Sequence, residues 1–292
     1  MTEARARGQQ LSRASAIADR DAELYPQLAQ LGVVGDRRTA AVISADGIVR
    51  WLCLPDYDGL PVFGNLLDAE RGGYWRLGPT GGAAGHQCYV DDSNILVTTW
   101  QSADGELELI DAMLSPNASR PSGEEGRRIL LRRLRCKHGS VTCAMEVMPR
   151  DDFVPRLISS RVPGGLELRV AGFALGLWTS LPVDPAPDGV CAGFALTAGE
   201  EFWAILGLAN DPAAWNPQAA DGALQATLRH WRELSGRYNY RGPRRDRVIR
   251  SALAIELLSF APTGALAAAA TSSLPERIGG DRNYDYRYAW IR

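Results

Sequence analysis

Between residues 39 and 209 the chain is written almost wholly in short β-favouring runs separated by glycine, proline and aspartate. The runs are 39–44, 48–54, 95–101, 106–112, 129–136, 140–148, 166–175, 190–197 and 202–209. Almost nothing between them repeats apolar residues at helical spacing. A chain so punctuated has one economical solution, a large antiparallel sandwich whose strands bury alternate side chains. Two turns carry the strongest local signal. Ala45-Asp46-Gly47 joins 39–44 to 48–54, and Asp-Gly predicts a type I′ turn with positive φ at both central positions. Ser102-Ala103-Asp104-Gly105 separates 95–101 from 106–112, where Leu107 and Leu109 alternate with Glu106 and Glu108.

The period changes near residue 222. Leu224, Leu228, Trp231 and Leu234 recur at three- and four-residue steps and predict a helix over 222–235. A second helix is expected over 244–260, with Val248, Ile249, Ala252, Leu253, Leu257 and Leu258 on one face; Pro262 and Gly264 stop it. The expected organisation is a polar arm at 1–30, a sandwich at 31–221, a linker helix and turn at 222–243, and the start of a helical domain at 244–292. Two helices alone cannot bury their stripes, so 224–234 and 248–258 are expected to be exposed and to favour aggregation. The last fourteen residues hold four aromatics, three arginines and two aspartates, a binding-site composition in a chain that reads as stopping mid-domain.

Bulk properties narrow the function. A net charge of −2 and a pI of about 6.0 give nucleic acid and anionic lipid no basic face, so neither is an expected partner. Residues 1–20 have no apolar core for a secretory signal, and the apolar run 253–270 is broken by Glu256, Pro262 and Gly264, so no membrane span is expected. The five cysteines are scattered, with no C-x-x-C pair, and the three histidines are scattered as well, so no metal-ligand spacing appears. That predicts reduced, mostly buried thiols in a cytoplasmic protein, without a metal or organic cofactor.

Several ordered motifs carry a resemblance. They are Gly35-Asp36-Arg37-Arg38-Thr39-Ala40-Ala41, then Asp46-Gly47 and Trp51-Leu52-Cys53-Leu54-Pro55, then Val62-Phe63 and Trp75-Arg76-Leu77. Further on come Ser251-Ala252-Leu253, Phe260-Ala261-Pro262-Thr263-Gly264-Ala265, Ser273-Leu274-Pro275-Glu276 and the 279–292 run. Together they resemble family 15 glycoside hydrolases, the glucoamylase and trehalase-like enzymes. The resemblance covers 31–292 and is weakest over 113–220. It implies a β super-sandwich followed by an (α/α)6 barrel. It also implies inverting hydrolysis of α-glucosides such as trehalose or maltodextrin, in which a carboxylic acid and a carboxylate flank a water. Both are glutamates in the family, downstream of the motif at 279–292. The chain alone is therefore expected to be inactive, and the missing helical catalytic domain is an implied partner.

By the same resemblance Trp290 and Arg292 hold sugar at the bond-breaking subsite and Tyr286 lines it. An indole suits an apolar sugar face and a guanidinium suits hydroxyls. Without the resemblance the aromatic cluster reads as core. Asp56, Gly59 and Tyr284 depart from the family pattern, the first two in a loop near the expected sugar. Glu256 is expected to face water or an arginine, Glu276 to cap an element, and Asp281 and Asp285 to pair with Arg282 and Arg287. Trp51 and Trp75 read as core more readily than as glycan platforms. Two other readings stand beside the enzyme: a non-catalytic carbohydrate-binding or partner-pairing sandwich, and the product of a broken reading frame.

Overall fold

The computed structural model describes residues 25–115, 128–162, 164–170, 172–208, 215–272, 281–282 and 284–290. Fifteen strands follow in chain order. They are β1 (Leu31–Gly35), β2 (Ala40–Ser44), β3 (Ile48–Leu54), β4 (Leu60–Phe63), β5 (Tyr74–Pro79), β6 (His86–Tyr89), β7 (Leu96–Gln101) and β8 (Gly105–Met113). Then come β9 (Leu130–Met148), β10 (Ile158–Val162), β11 (Gly165–Val170), β12 (Phe173–Thr179), β13 (Asp184–Ala186), β14 (Gly189–Thr197) and β15 (Glu201–Leu208). Two helices close the order, α1 (Pro217–Ser235) and α2 (Arg245–Leu258). The fold is a large antiparallel β-sandwich followed by a short helical part.

One strand organises it. The first half of β9 pairs with β8 and β15, and the second half with β5 and β14. β9 therefore belongs to two sheets. One runs β1-β2-β3-β5-β9-β14-β13, with β4 beside β3; the other runs β6-β7-β8-β9-β15-β12-β11-β10. The expected break between 136 and 140 is the corner where β9 passes from sheet to sheet. Gly139 turns it at φ 75°, where a side chain would run into the Asp104 carbonyl. The reverse error occurs at 166–175: that run is two strands, and Val170 faces Phe173 across a hairpin.

The turn before β3 also differs from expectation. Only Gly47 has positive φ, at 80°, and its N–H donates to the Ser44 carbonyl at 2.9 Å. A three-residue loop with a left-handed last residue gives the strands the same twist as a type I′ turn, and only the glycine is then constrained.

The inner faces form one core. Ile43, Val49, Trp75, Leu77, Met145 and Val147 of the first sheet meet Leu107, Leu109, Leu134, Leu168, Leu177 and Phe202 of the second. Trp51 is buried too, against Val42, Cys53 and Leu66 on the first sheet's other face, so both tryptophans are core. Inside the main core sits a fully buried charge pair. Arg132 donates to Asp111 at 2.7 Å, to the Trp75 carbonyl at 2.8 Å and to the Gly47 carbonyl at 2.8 Å, so one guanidinium ties the two sheets together.

The helices overturn one expectation. α1 starts earlier than its apolar stripe suggests, because Asn216 accepts the Ala219 N–H at 2.9 Å and Pro217 occupies the first turn. Its Ala220, Ala223, Leu224, Trp231 and Leu234 are buried against Ile110, Leu131, Trp203 and Ile205 on the outer face of the second sheet. Ile249, Leu253 and Leu257 of α2 join the same cluster. The predicted exposed stripes are thus covered, because a sheet has two faces and the outer one here is also apolar. Val248 and Ile255 alone among the large apolar residues of α2 remain exposed.

Candidate functional site

The helical part meets the sandwich along a seam built by the run at 35–41. Asp36 is buried and accepts the N–H groups of Arg38 and Thr39 at 3.0 and 2.9 Å, which fixes the β1–β2 connection. Arg37 then points to α2, pairing with Glu256 at 3.3 Å. Glu256 is therefore an arginine's partner, as its place on the helix suggested. Arg38 pairs with Asp56 at 2.9 Å and lies over the Phe260 ring at 5.7 Å. The Thr39 hydroxyl donates to the Cys53 carbonyl at 2.5 Å. Tyr57 donates from its hydroxyl to the Leu257 carbonyl at the end of α2.

Beyond α2 the chain doubles back on itself. Ala268 and Ala269 donate their N–H groups to the carbonyls of Tyr288 and Tyr286 at 3.1 and 2.8 Å. This places Tyr286 flat on Trp290, ring centres 4.8 Å apart and 16° from parallel, with Tyr284 edge-on to Trp290 at 6.0 Å. The structure thus brings together two of the three predicted sugar residues, Tyr286 and Trp290. Arg292 and Glu276 lie outside the described residues. The cluster is not core: Tyr284 and Tyr288 are each 50% exposed and Trp290 39%.

Arg287 ties this platform to the sandwich. Its guanidinium pairs with Asp285 at 2.6 Å and donates to the carbonyls of Gly59 at 2.7 Å and Tyr57 at 3.2 Å. It also reaches the Cys53 sulfur at 3.3 Å and sits 5.9 Å from the Trp51 ring centre. The predicted Asp285–Arg287 pair is real, but the reach to the 56–59 loop was not visible in the sequence. Gly59 has a structural reason: a Cβ there would run into the Leu54 carbonyl.

Charge is balanced tightly at this seam. The Arg287 hydrogen bonds hold the Asp285 carboxyl below the usual carboxylate value, and Asp285 in turn raises Arg287. Burial pushes Asp56 upward, but the hydrogen bonds from Arg38 and Arg128 outweigh it and leave its pKa lowered. Burial pushes the Cys53 thiol up to about 12, so it is not a nucleophile at neutral pH.

A cavity of 380 Å³ opens between the 56–58 loop, Phe260 and the Arg287–Tyr288 turn. Asp56 on its rim is spent on two arginines, whereas Asp58 is exposed and has no ion pair among the described residues. An aromatic platform beside a small cavity suits the stacking of an apolar ring face and hydrogen bonding to hydroxyls. Among the described residues no group of three histidine, cysteine or acidic side chains could hold a metal ion. No helix there is long and apolar enough to cross a membrane. All five cysteines are free, three of them buried.

A family profile described as trehalase-like, N-terminal, matches residues 21–175. The chain is 33% identical over 290 residues to a trehalase of Mycolicibacterium smegmatis, covering 92% of this chain and 43% of that one. It is 33% identical over 291 residues to a trehalase of Mycobacterium tuberculosis, covering 92% and 42%. A trehalase of Thermoplasma volcanium is 29% identical over 287 residues, covering 94% and 44%. The chain thus spans less than half the length of these relatives.

Proposed function

The chain belongs to the trehalase-like N-terminal family, and on that premise we propose that it supplies the sandwich and the first sugar-contacting segment of an inverting α-glucoside hydrolase. In this reading 31–221 is the sandwich domain and 222–243 the linker. The segment from 244 onward begins an (α/α)6 catalytic domain. Tyr286 and Trp290 receive a glucose ring, and Arg292 binds its hydroxyls. Trehalose is the first substrate to test, since the relatives are named for it; maltodextrins are the alternative. The general acid and base are glutamates outside these 292 residues, so the chain alone does not hydrolyse. Five free thiols suit a reducing cytoplasm.

The observation that carries this reading is the stack of half-buried Tyr286 on exposed Trp290, anchored through Arg287 to the sandwich loop. Saturation-transfer NMR of trehalose with the 292-residue chain tests it. Transfer to the glucose protons, lost in Trp290→Ala while the melting temperature holds, is the expected result. Equal transfer in both proteins removes Trp290 from the site. The same platform also supports a second reading, a module that binds saccharide or pairs with a separate helical chain and takes no part in turnover. Normal turnover by an enzyme carrying Trp290→Ala would favour that one.

A further inference from the structure

A cavity of 1010 Å³ has no part in the aromatic site; it lies where the β5–β6 connection, the β7–β8 hairpin and the corner of β9 meet. We propose that it is a second binding groove, for a neutral oligosaccharide. Its floor is apolar, from Trp100, Leu107 and Val141, all buried. Its rim carries His86, Gln101, Asp104, Ser140 and Thr142. None of these five side chains has a hydrogen-bond or ion-pair partner among the described residues. Unspent donors and acceptors around an apolar floor match the two surfaces of a sugar, its hydroxyl edge and its CH face. No lysine or arginine lines the groove and its one formal charge is Asp104. That lining disfavours phosphates, nucleic acid and other anions.

The groove is built before any ligand arrives. The Trp100 indole donates to the Ala83 carbonyl at 2.9 Å, and Gly85 N–H donates to the Ala45 carbonyl at 2.7 Å, pinning the 81–85 loop at both points. Thr80 N–H donates to the Thr142 carbonyl at 3.1 Å, and Ser140 N–H to the Asp104 carbonyl at 2.9 Å. A site held by these three main-chain bonds and one indole bond loses little freedom on binding.

The two sites sit at opposite ends of β3. Gly47, just before the strand, backs onto Trp100, whereas Tyr57, just after it, packs on α2. A strand of that length separates them by about 20 Å at ~3.3 Å per residue. A longer glucan could engage both and gain from effective concentration. The saccharide class comes from the lining; the choice of an α-glucan as probe rests on the proposed function.

Isothermal titration of maltoheptaose into the 292-residue chain tests the proposal, with the Trp100 indole N–H signal as a second readout. The expected result is binding that shifts that signal, weakens at least tenfold in His86→Ala/Asp104→Ala, and survives in Trp290→Ala. The rim residues are exposed, so the double variant keeps its fold; an unchanged melting temperature checks this. Absence of binding overturns the groove, and so does binding abolished by Trp290→Ala alone. Neither result touches the proposed function, which fails on the separate trehalose measurement at Trp290.

Discussion

Replacing Asp111 by asparagine isolates the charge pair at the centre of the sandwich. The change keeps volume and removes only the carboxylate. Asp111 and Arg132 face each other across β8 and β9, both fully buried, with the guanidinium held at 2.7 Å. Arg132 stays bonded to the carbonyls of Trp75 and Gly47 but loses its countercharge in a site without water access. Breaking a buried pair by removing one partner costs about 3–5 kcal/mol. Against a domain stability of ~5–15 kcal/mol, that is a large share of the total. Urea unfolding at pH 7, followed by tryptophan fluorescence, should show a midpoint lowered by roughly 2 M at an m-value of ~2 kcal/mol/M. The double variant Asp111→Asn/Arg132→Met should recover part of the loss, since it removes the stranded charge and leaves only neutral groups unpaired, the Trp75 and Gly47 carbonyls and the amide introduced at position 111. A cost below about 1 kcal/mol for Asp111→Asn would refute the reasoning, because it would mean that water reaches Arg132.

Three further outcomes follow from the seam between the sheets, the helices and the platform. Trp231→Ala should cost about 3–5 kcal/mol, as α1 is docked through that fully buried ring, and calorimetry would show a lower melting temperature. Arg287→Met should leave the sandwich melting nearly unchanged while proteolysis within 281–290 speeds up at least tenfold. It removes the bonds to Gly59 and Tyr57, each worth about 1.5–3 kcal/mol for a charged donor. Acid should loosen the same seam. Asp56 and Asp285 have folded pKa values below their unfolded ones, so their contribution is present above the unfolded value of ~3.9 and is lost as pH falls through the folded value. Proteolysis of 281–290 should be flat from about pH 8 to 5 and rise below about pH 4; a midpoint near 6.5 would point to a histidine instead.

The fold was legible wherever one signal acted locally. Alternation at 106–112, the Asp46-Gly47 turn and the 224–234 stripe each name their element from neighbours a few residues apart. Long-range pairing was not legible. Lys137-His138-Gly139 reads as a turn, yet β9 continues through it, because two different partner strands are waiting on either side of the corner. At Gly172 the opposite happened: the apolar pattern runs on through a hairpin whose halves pair with each other. β1, β4, β6, β10 and β13 went unread; all five pair on one side only, and β6, β10 and β13 bury little and carry weak alternation. At the candidate site, Tyr286 and Trp290 were named from the resemblance alone, and their stacking on each other was not legible in the sequence. Arg287 was read only as a partner for Asp285, since its contact with Gly59 spans 228 residues of sequence.

Glucose release from trehalose is the most direct test of the account, measured by proton NMR on the 292-residue chain alone and on the same chain joined to the remaining length of the Mycolicibacterium smegmatis trehalase. The account predicts no release by the chain alone. It predicts hydrolysis by the joined protein with equal first yields of α- and β-glucose, as inversion at one anomeric carbon requires, and loss of that activity in Trp290→Ala. Robust release by the chain alone, abolished by a point substitution within it, would contradict the account.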